Sequence, residues 1–101
     1  QAGIVNKRAQ KTRDQIRNDF EIKLMPNPAK DQVAIRFSTE LTSNHRIFVT
    51  DMQGRVFYNT MITDRTSLVD LNISTWSNGL YQVSIYRNSE NVGAKKLIVN
   101  H

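Results

Sequence analysis

From Phe20 to the end of the chain, apolar and polar residues alternate with a period of two, which predicts β-strands rather than helices. Seven such segments occur in residues 20–101, with turn residues between them and no stretch of helix length. The apolar positions of the three clearest segments are the expected core: Val33, Ile35, Ile47, Val49, Val83 and Ile85. The pattern predicts an all-β fold, a seven-stranded antiparallel sandwich of immunoglobulin-like type.

Residues 1–19 follow a different period. Apolar residues recur there at helical spacing and extend to Ile16 and Phe20, which predicts a thin, basic amphipathic helix or arm. Residues 1–20 hold five Lys or Arg against two Asp, so most of the chain's net charge of +5 lies in this arm. A helix of this kind is only marginally stable in water when it has nothing to pack against. We interpret it as a linker, or as a partner-binding segment that docks through Ile16 and Phe20.

The composition argues against several classes of function. A chain of 101 residues without cysteine fits one domain with no disulfides or thiolate metal sites. His45 and His101 stand without a Ser-His-Asp order or an acidic cluster of metal-ligand spacing, so we expect no catalysis, metal or cofactor. The basic residues are not interleaved with the aromatic ones, which argues against nucleic acid. No apolar run is long enough for a transmembrane segment.

Three turns are specific enough to name. Asp51 and Gly54 bracket a tight hairpin, because Asp can bond the backbone two residues on and Gly accepts a left-handed conformation. Pro26-Asn27-Pro28 predicts a rigid corner between the first and second strands. Asn78-Gly79 predicts a turn that starts a late strand. Taken singly, each turn is explained by folding alone.

Their order along the chain carries more information than each turn does. The motifs, in sequence order, are Pro26-Asn27-Pro28 followed by Ala29, then Asp51, Gly54 and Arg55, then Asn78, Gly79 and Tyr81, and finally Gly93, Lys95, Lys96, Leu97, Ile98 and Val99. This set resembles the type A C-terminal sorting domain of the type IX secretion system (the Por secretion system) of Bacteroidetes. The resemblance covers residues 20–101. It departs from the family pattern at Met25, where an aromatic residue is usual, and at the chain end.

The resemblance implies a recognition role without chemistry. Family members are exported across the periplasm to the outer-membrane surface or beyond. Their partners are the outer-membrane translocon and the shuttle or sortase proteins of the system, and the last strands contain much of the signal. Since no loop follows a strand at the chain end, we expect a receptor to engage its edge or its terminal carboxylate. The alternative is a retained structural or partner-binding subunit of an outer-membrane or cell-surface complex, held through the arm.

Overall fold

The structure, a computed structural model, describes residues 21–101. The predicted arm of residues 1–19, together with Phe20, lies outside the described residues and stays a prediction, as does the contact role of Ile16 and Phe20. The described part folds into seven strands: β1 (Ile22–Met25), β2 (Gln32–Leu41), β3 (His45–Asp51), β4 (Val56–Met61), β5 (Thr66–Asn72), β6 (Gly79–Arg87) and β7 (Glu90–Val99). Each strand predicted from the alternation is present, and in the predicted order.

The strands form two antiparallel sheets. One has the order β1-β2-β5 and the other β4-β3-β6-β7, so β7 lies at an edge of the four-stranded sheet. The last strand is longer than its sequence suggests, because it begins at Glu90 rather than near Ala94. The turn before it uses Asn88 and Ser89 in positive φ, and this allows a tight return from β6.

The inner faces of the two sheets form one apolar core. All six core residues predicted from the alternation are buried, with exposed fractions of 0 or 1%: Val33, Ile35, Ile47, Val49, Val83 and Ile85. Leu97 and Val99 bring β7 into the same cluster. Burying a side chain of this size contributes roughly 1.5–3 kcal/mol. The alternation therefore determines which face of each strand points inward.

The Pro-Asn-Pro corner lies between β1 and β2, two strands of the same sheet, and takes the chain to the edge of the other sheet. Before it, β1 pairs with β2, with Leu24 opposite Ile35. After it, Ala29 forms a parallel bridge with Val99 of β7. The peptide bonds preceding both prolines are cis. One short stretch thus contributes to both sheets, which links β1 to the last strand.

We expect Ile35→Asp and Val83→Asp each to unfold the domain. An unpaired carboxylate in the core costs several kcal/mol, which is comparable to the whole stability of a small domain. Circular dichroism melting should show no cooperative transition for either variant. Thr39→Asp, at an exposed position on β2, is the matched control and should melt like the wild type. Cooperative melting of both core variants near the wild-type temperature would contradict the core assignment.

Candidate functional site

Most of the predicted sorting residues meet around β7, at one end of the sandwich. The cross-strand pairs join Ala29 to Val99, Val99 to Gly79, Leu97 to Tyr81, and Tyr81 to Asp51. Residues from four motifs that are far apart in sequence therefore lie next to one another across neighbouring strands. Gly93 is the exception, because it pairs with Ile85 farther along β6.

Asn27 holds the last strand through its side chain. Its Nδ2 donates to the carbonyl oxygen of Lys96 at 3.0 Å, and its Oδ1 accepts from the N–H of Ile98 at 3.0 Å. The amide thus occupies the place that a neighbouring strand's backbone would take. Two further bonds continue this pairing, from the N–H of Ala29 to the carbonyl of Ile98 and from the N–H of Asn100 to the carbonyl of Ala29, both at 2.8 Å. We call the residues 27–29 that make these bonds the corner clamp.

The corner clamp changes the expectation for the free strand edge. The sequence suggested that nothing passes beside the last strand, so that a receptor could pair along its edge. In the structure, the edge of β7 from Lys96 to Asn100 is already bonded to the corner clamp. The side chains there remain accessible, because strand alternation turns Lys96 and Ile98 outward while Leu97 and Val99 are buried. Along this stretch the accessible groups are therefore side chains rather than the strand backbone.

The end of the chain is also fixed in place. The N–H of His101 donates to Oδ1 of Asn78 at 2.8 Å, and Nε2 of its ring lies 2.6 Å from the carbonyl oxygen of Trp76. Asn78 belongs to the predicted motif, and the sequence suggested Trp76 as a core or rim residue, but it did not indicate that His101 would bond to both. No periodic pattern singles them out, since their contacts join loops rather than strands.

Three aromatic rings pack against one another at this end of the sandwich. Tyr81 is buried, and its ring centroid lies 5.1 Å from that of Trp76 and 5.1 Å from that of Phe57. Its hydroxyl donates to the carbonyl of Ser77 at 2.7 Å, so its polar tip is satisfied. Tyr81 therefore packs a late strand against Trp76 and Phe57.

The β3–β4 hairpin is organised by one carboxylate. Asp51 Oδ1 accepts from the N–H groups of Gln53 and Arg55, both at 2.9 Å, and Oδ2 accepts from Nε of Arg55 at 2.6 Å. Gly54 adopts φ 87°, as the turn requires. Desolvation acts to raise the pKa of Asp51, but the bonds from Arg55 and Gln53 outweigh it and hold the pKa below its usual value.

The two histidines each hold a loop. The ring of His45 accepts at Nδ1 from the N–H of Thr42, at 3.0 Å. His101 bonds the carbonyl of Trp76, as described above. Among residues 21–101, no three His, Cys, Asp or Glu side chains are grouped so that they could hold a metal ion. That same part of the chain contains no helix with the length and hydropathy to cross a bilayer.

A family model described as the secretion system C-terminal sorting domain matches residues 23–100. The chain belongs to this family. The match spans all but the first residue of the seven strands, and it includes the corner clamp and the Asp51 hairpin. No curated protein matches the chain.

Solved structures support the fold of this sorting domain. One is PorZ, a surface component of the type-IX secretion system of Porphyromonas gingivalis, with a TM-score of 0.63 and 23% identity over 79% of this chain. The matched region is 11% of PorZ. Another is a DUF3244 family protein of Bacteroides vulgatus with an immunoglobulin-like β-sandwich, with a TM-score of 0.53 and 15% identity over 77% of this chain and 88% of that one. The predicted immunoglobulin-like sandwich is therefore confirmed.

Removing the Asn27 amide should loosen the last strand of the sorting domain without unfolding it. Asn27→Ala deletes two bonds to β7, each worth about 0.5–1.5 kcal/mol net, while the backbone bonds of Ala29 remain. We expect a loss of about 1–3 kcal/mol in unfolding free energy and faster hydrogen exchange at the Ile98 amide. Asn44→Ala, in an exposed turn between β2 and β3, is the control. Unchanged exchange at Ile98 would show that the corner clamp does not hold β7.

The Asp51 hairpin should make stability depend on acid pH. Because the folded pKa is lowered, ionised Asp51 stabilises the fold above the ordinary carboxyl pKa of about 3.9. That contribution is lost as the pH falls through the lowered folded value. Asp51→Asn should thus lower the melting temperature at neutral pH, and the difference should shrink on acidification.

Asp70→Asn, on the exposed face of β5, is the control for this pH series. It should stay close to the wild type across the same range. A constant difference between Asp51→Asn and the wild type at every pH would contradict the role of the charge.

Proposed function

We propose that this domain is a non-catalytic recognition element that directs export through the type IX secretion system and delivery to the cell surface. The observation that carries the proposal is the family match over residues 23–100. The geometry supports it, since the motif residues bond backbone groups, pair strands or fill the core around β7. These are roles in presenting a shape, and the shape they present is the last strand with its outward side chains.

Lys96 and Ile98 are the central contact residues of this proposal. Both side chains are exposed, and Ile98 keeps 44% of its surface accessible although it is apolar. The corner clamp binds their backbone, so it holds these two side chains in a fixed orientation. A cation and an apolar group held rigidly side by side lose little entropy when a receptor binds them. The receptor belongs to the translocon, shuttle or sortase proteins of the system.

A second candidate is a retained subunit of the secretion or surface machinery. The likeness to part of PorZ favours it, because that protein is itself a surface component of a type-IX secretion system. In the first candidate the domain is a signal that is used during transit through the periplasm. In the second it stays at the outer membrane as part of a complex, with residues 1–19 as its contact. The two differ in where the domain is found after export.

Export of a fused reporter tests the proposal. The reporter, followed by residues 1–101, is produced in a host with this pathway, and Lys96→Glu is compared with the wild type. Exposed single charges contribute at most about 1 kcal/mol to stability, so the variant should fold normally. We expect surface delivery to fall sharply and the reporter to accumulate in the periplasm. A short extension after His101 should have the same effect if the chain end is read.

Lys30→Glu is the matched control, because Lys30 is exposed and lies outside the last strand. It should be exported like the wild type. Normal surface delivery of both Lys96→Glu and the extended chain, with the domain shown to be folded, would refute recognition at the chain end. Probing the surface fraction for the domain itself separates the candidates, since a transit signal is removed and a retained subunit remains.

A further inference from the structure

The first half of β7 has a free edge. The strand order leaves β7 without a second strand partner in the described part of the chain, and the corner clamp covers only its last residues. The carbonyl of Lys96 and the N–H of Ile98 face the corner clamp. Because backbone direction alternates along an antiparallel strand, the N–H and carbonyl of Ala94 point to the same side. Ala94 therefore presents a donor and an acceptor just before the covered stretch.

This free edge forms one wall of a cleft. The cleft has a volume of about 240 Å³ and lies between Glu21, Ile22 and Lys23 on one side and Gly93, Ala94 and Lys95 on the other. The β1 wall is also a strand edge: the carbonyl of Glu21 bonds the N–H of Ser38 on β2, so the backbone of Ile22 faces away from β2. Two strand edges thus face the same small space.

The cleft is lined by two cations, Lys23 and Lys95, and by one carboxylate, that of Glu21, so its formal charge is net positive. Lys23 lies directly opposite Arg36 in the β1–β2 pair, an arrangement of like charges that costs stability. Lys95 lies on the core-facing side of β7, in line with Leu97, and yet it is exposed. In residues 21–101, no carboxylate lies within ion-pair distance of Lys23, Arg36 or Lys95.

Lys95 makes this edge selective. An inward-pointing charge on an edge strand disfavours pairing with arbitrary strands, because pairing would bury an uncompensated ammonium group. A strand that brings its own carboxylate removes that penalty. Backbone pairing and positive charge therefore point to the same class of ligand, an extended acidic polypeptide. A small anion would satisfy the lysines but would leave the free donor and acceptor of Ala94 unused.

We propose that an acidic, extended segment of a partner protein adds as a short strand to β7 at Ala94, with its carboxylates paired to Lys95 and Lys23. This surface is separate from the outward side chains of Lys96 and Ile98. It rests on the proposed function only in that a sorting domain has a protein partner. Its test is made in solution with purified protein, so its failure would leave the export experiment unaffected.

The test uses the full chain and a synthetic peptide of alternating valine and glutamate, about as long as an ordinary strand. Amide hydrogen exchange is followed by NMR at up to millimolar peptide. We expect protection of the Ala94 amide, and none with the same peptide carrying lysine in place of glutamate. Ala94→Pro removes the outward N–H but no bond to β6, so the variant should fold. It should bind the glutamate peptide at least tenfold more weakly, because one strand-pairing hydrogen bond is lost. Ala94→Thr keeps the N–H and should bind like the wild type.

Charge reversal gives the second arm of the test. Lys95→Glu should weaken binding of the glutamate peptide by about tenfold or more and should strengthen binding of the lysine peptide. Lys30→Glu should change neither. The proposal would be overturned if Ala94→Pro and Ala94→Thr bound the glutamate peptide equally well. It would also be overturned if the peptide protected amides of β4 or β5 instead of the Ala94 amide. Two results without peptide would also overturn it. Protection of the Ala94 amide that grows with protein concentration would show that a second copy of the chain occupies the edge. Protection that disappears when residues 1–20 are deleted would show that the chain's own segment occupies it.

Discussion

The hydrogen bonds between the corner clamp and β7 determine where the last strand and the final residues of the chain lie. A sandwich of two sheets is held together mainly by its apolar core, which does not specify direction along the strands. The side chain of Asn27 and the backbone of Ala29 supply that direction, because they bond alternate backbone groups of the last strand. The chain's first and last strands are thereby connected, and the end of the chain acquires a defined position.

This connection explains why the family motifs lie where they do. Pro26 and Pro28 shape the corner, β6 begins at Gly79 beside Val99, and Tyr81 lies beside Leu97 in the core. Taken singly, each residue is an ordinary turn or core position. Together they surround one strand.

The same constraint divides β7 into two parts with different properties. The part after Lys95 has its edge bonded and offers side chains, whereas the part around Ala94 offers backbone groups next to Lys23 and Lys95. Covering half of an edge strand limits indiscriminate strand pairing, and an inward-pointing charge such as Lys95 has the same effect.

The sequence alone is enough to predict the seven strands, their order and their inward faces, because alternation with a period of two is a local property that burial enforces strand by strand. It also indicated the turns at Pro26, Asp51 and Asn78, where residue chemistry dictates backbone conformation. The folded structure is needed to see that Asn27 bonds Lys96 and Ile98, that Asn78 bonds His101, and that Lys95 is exposed on the core-facing side. These contacts join residues that are distant in the chain, and no local pattern encodes which edges meet once two sheets have packed.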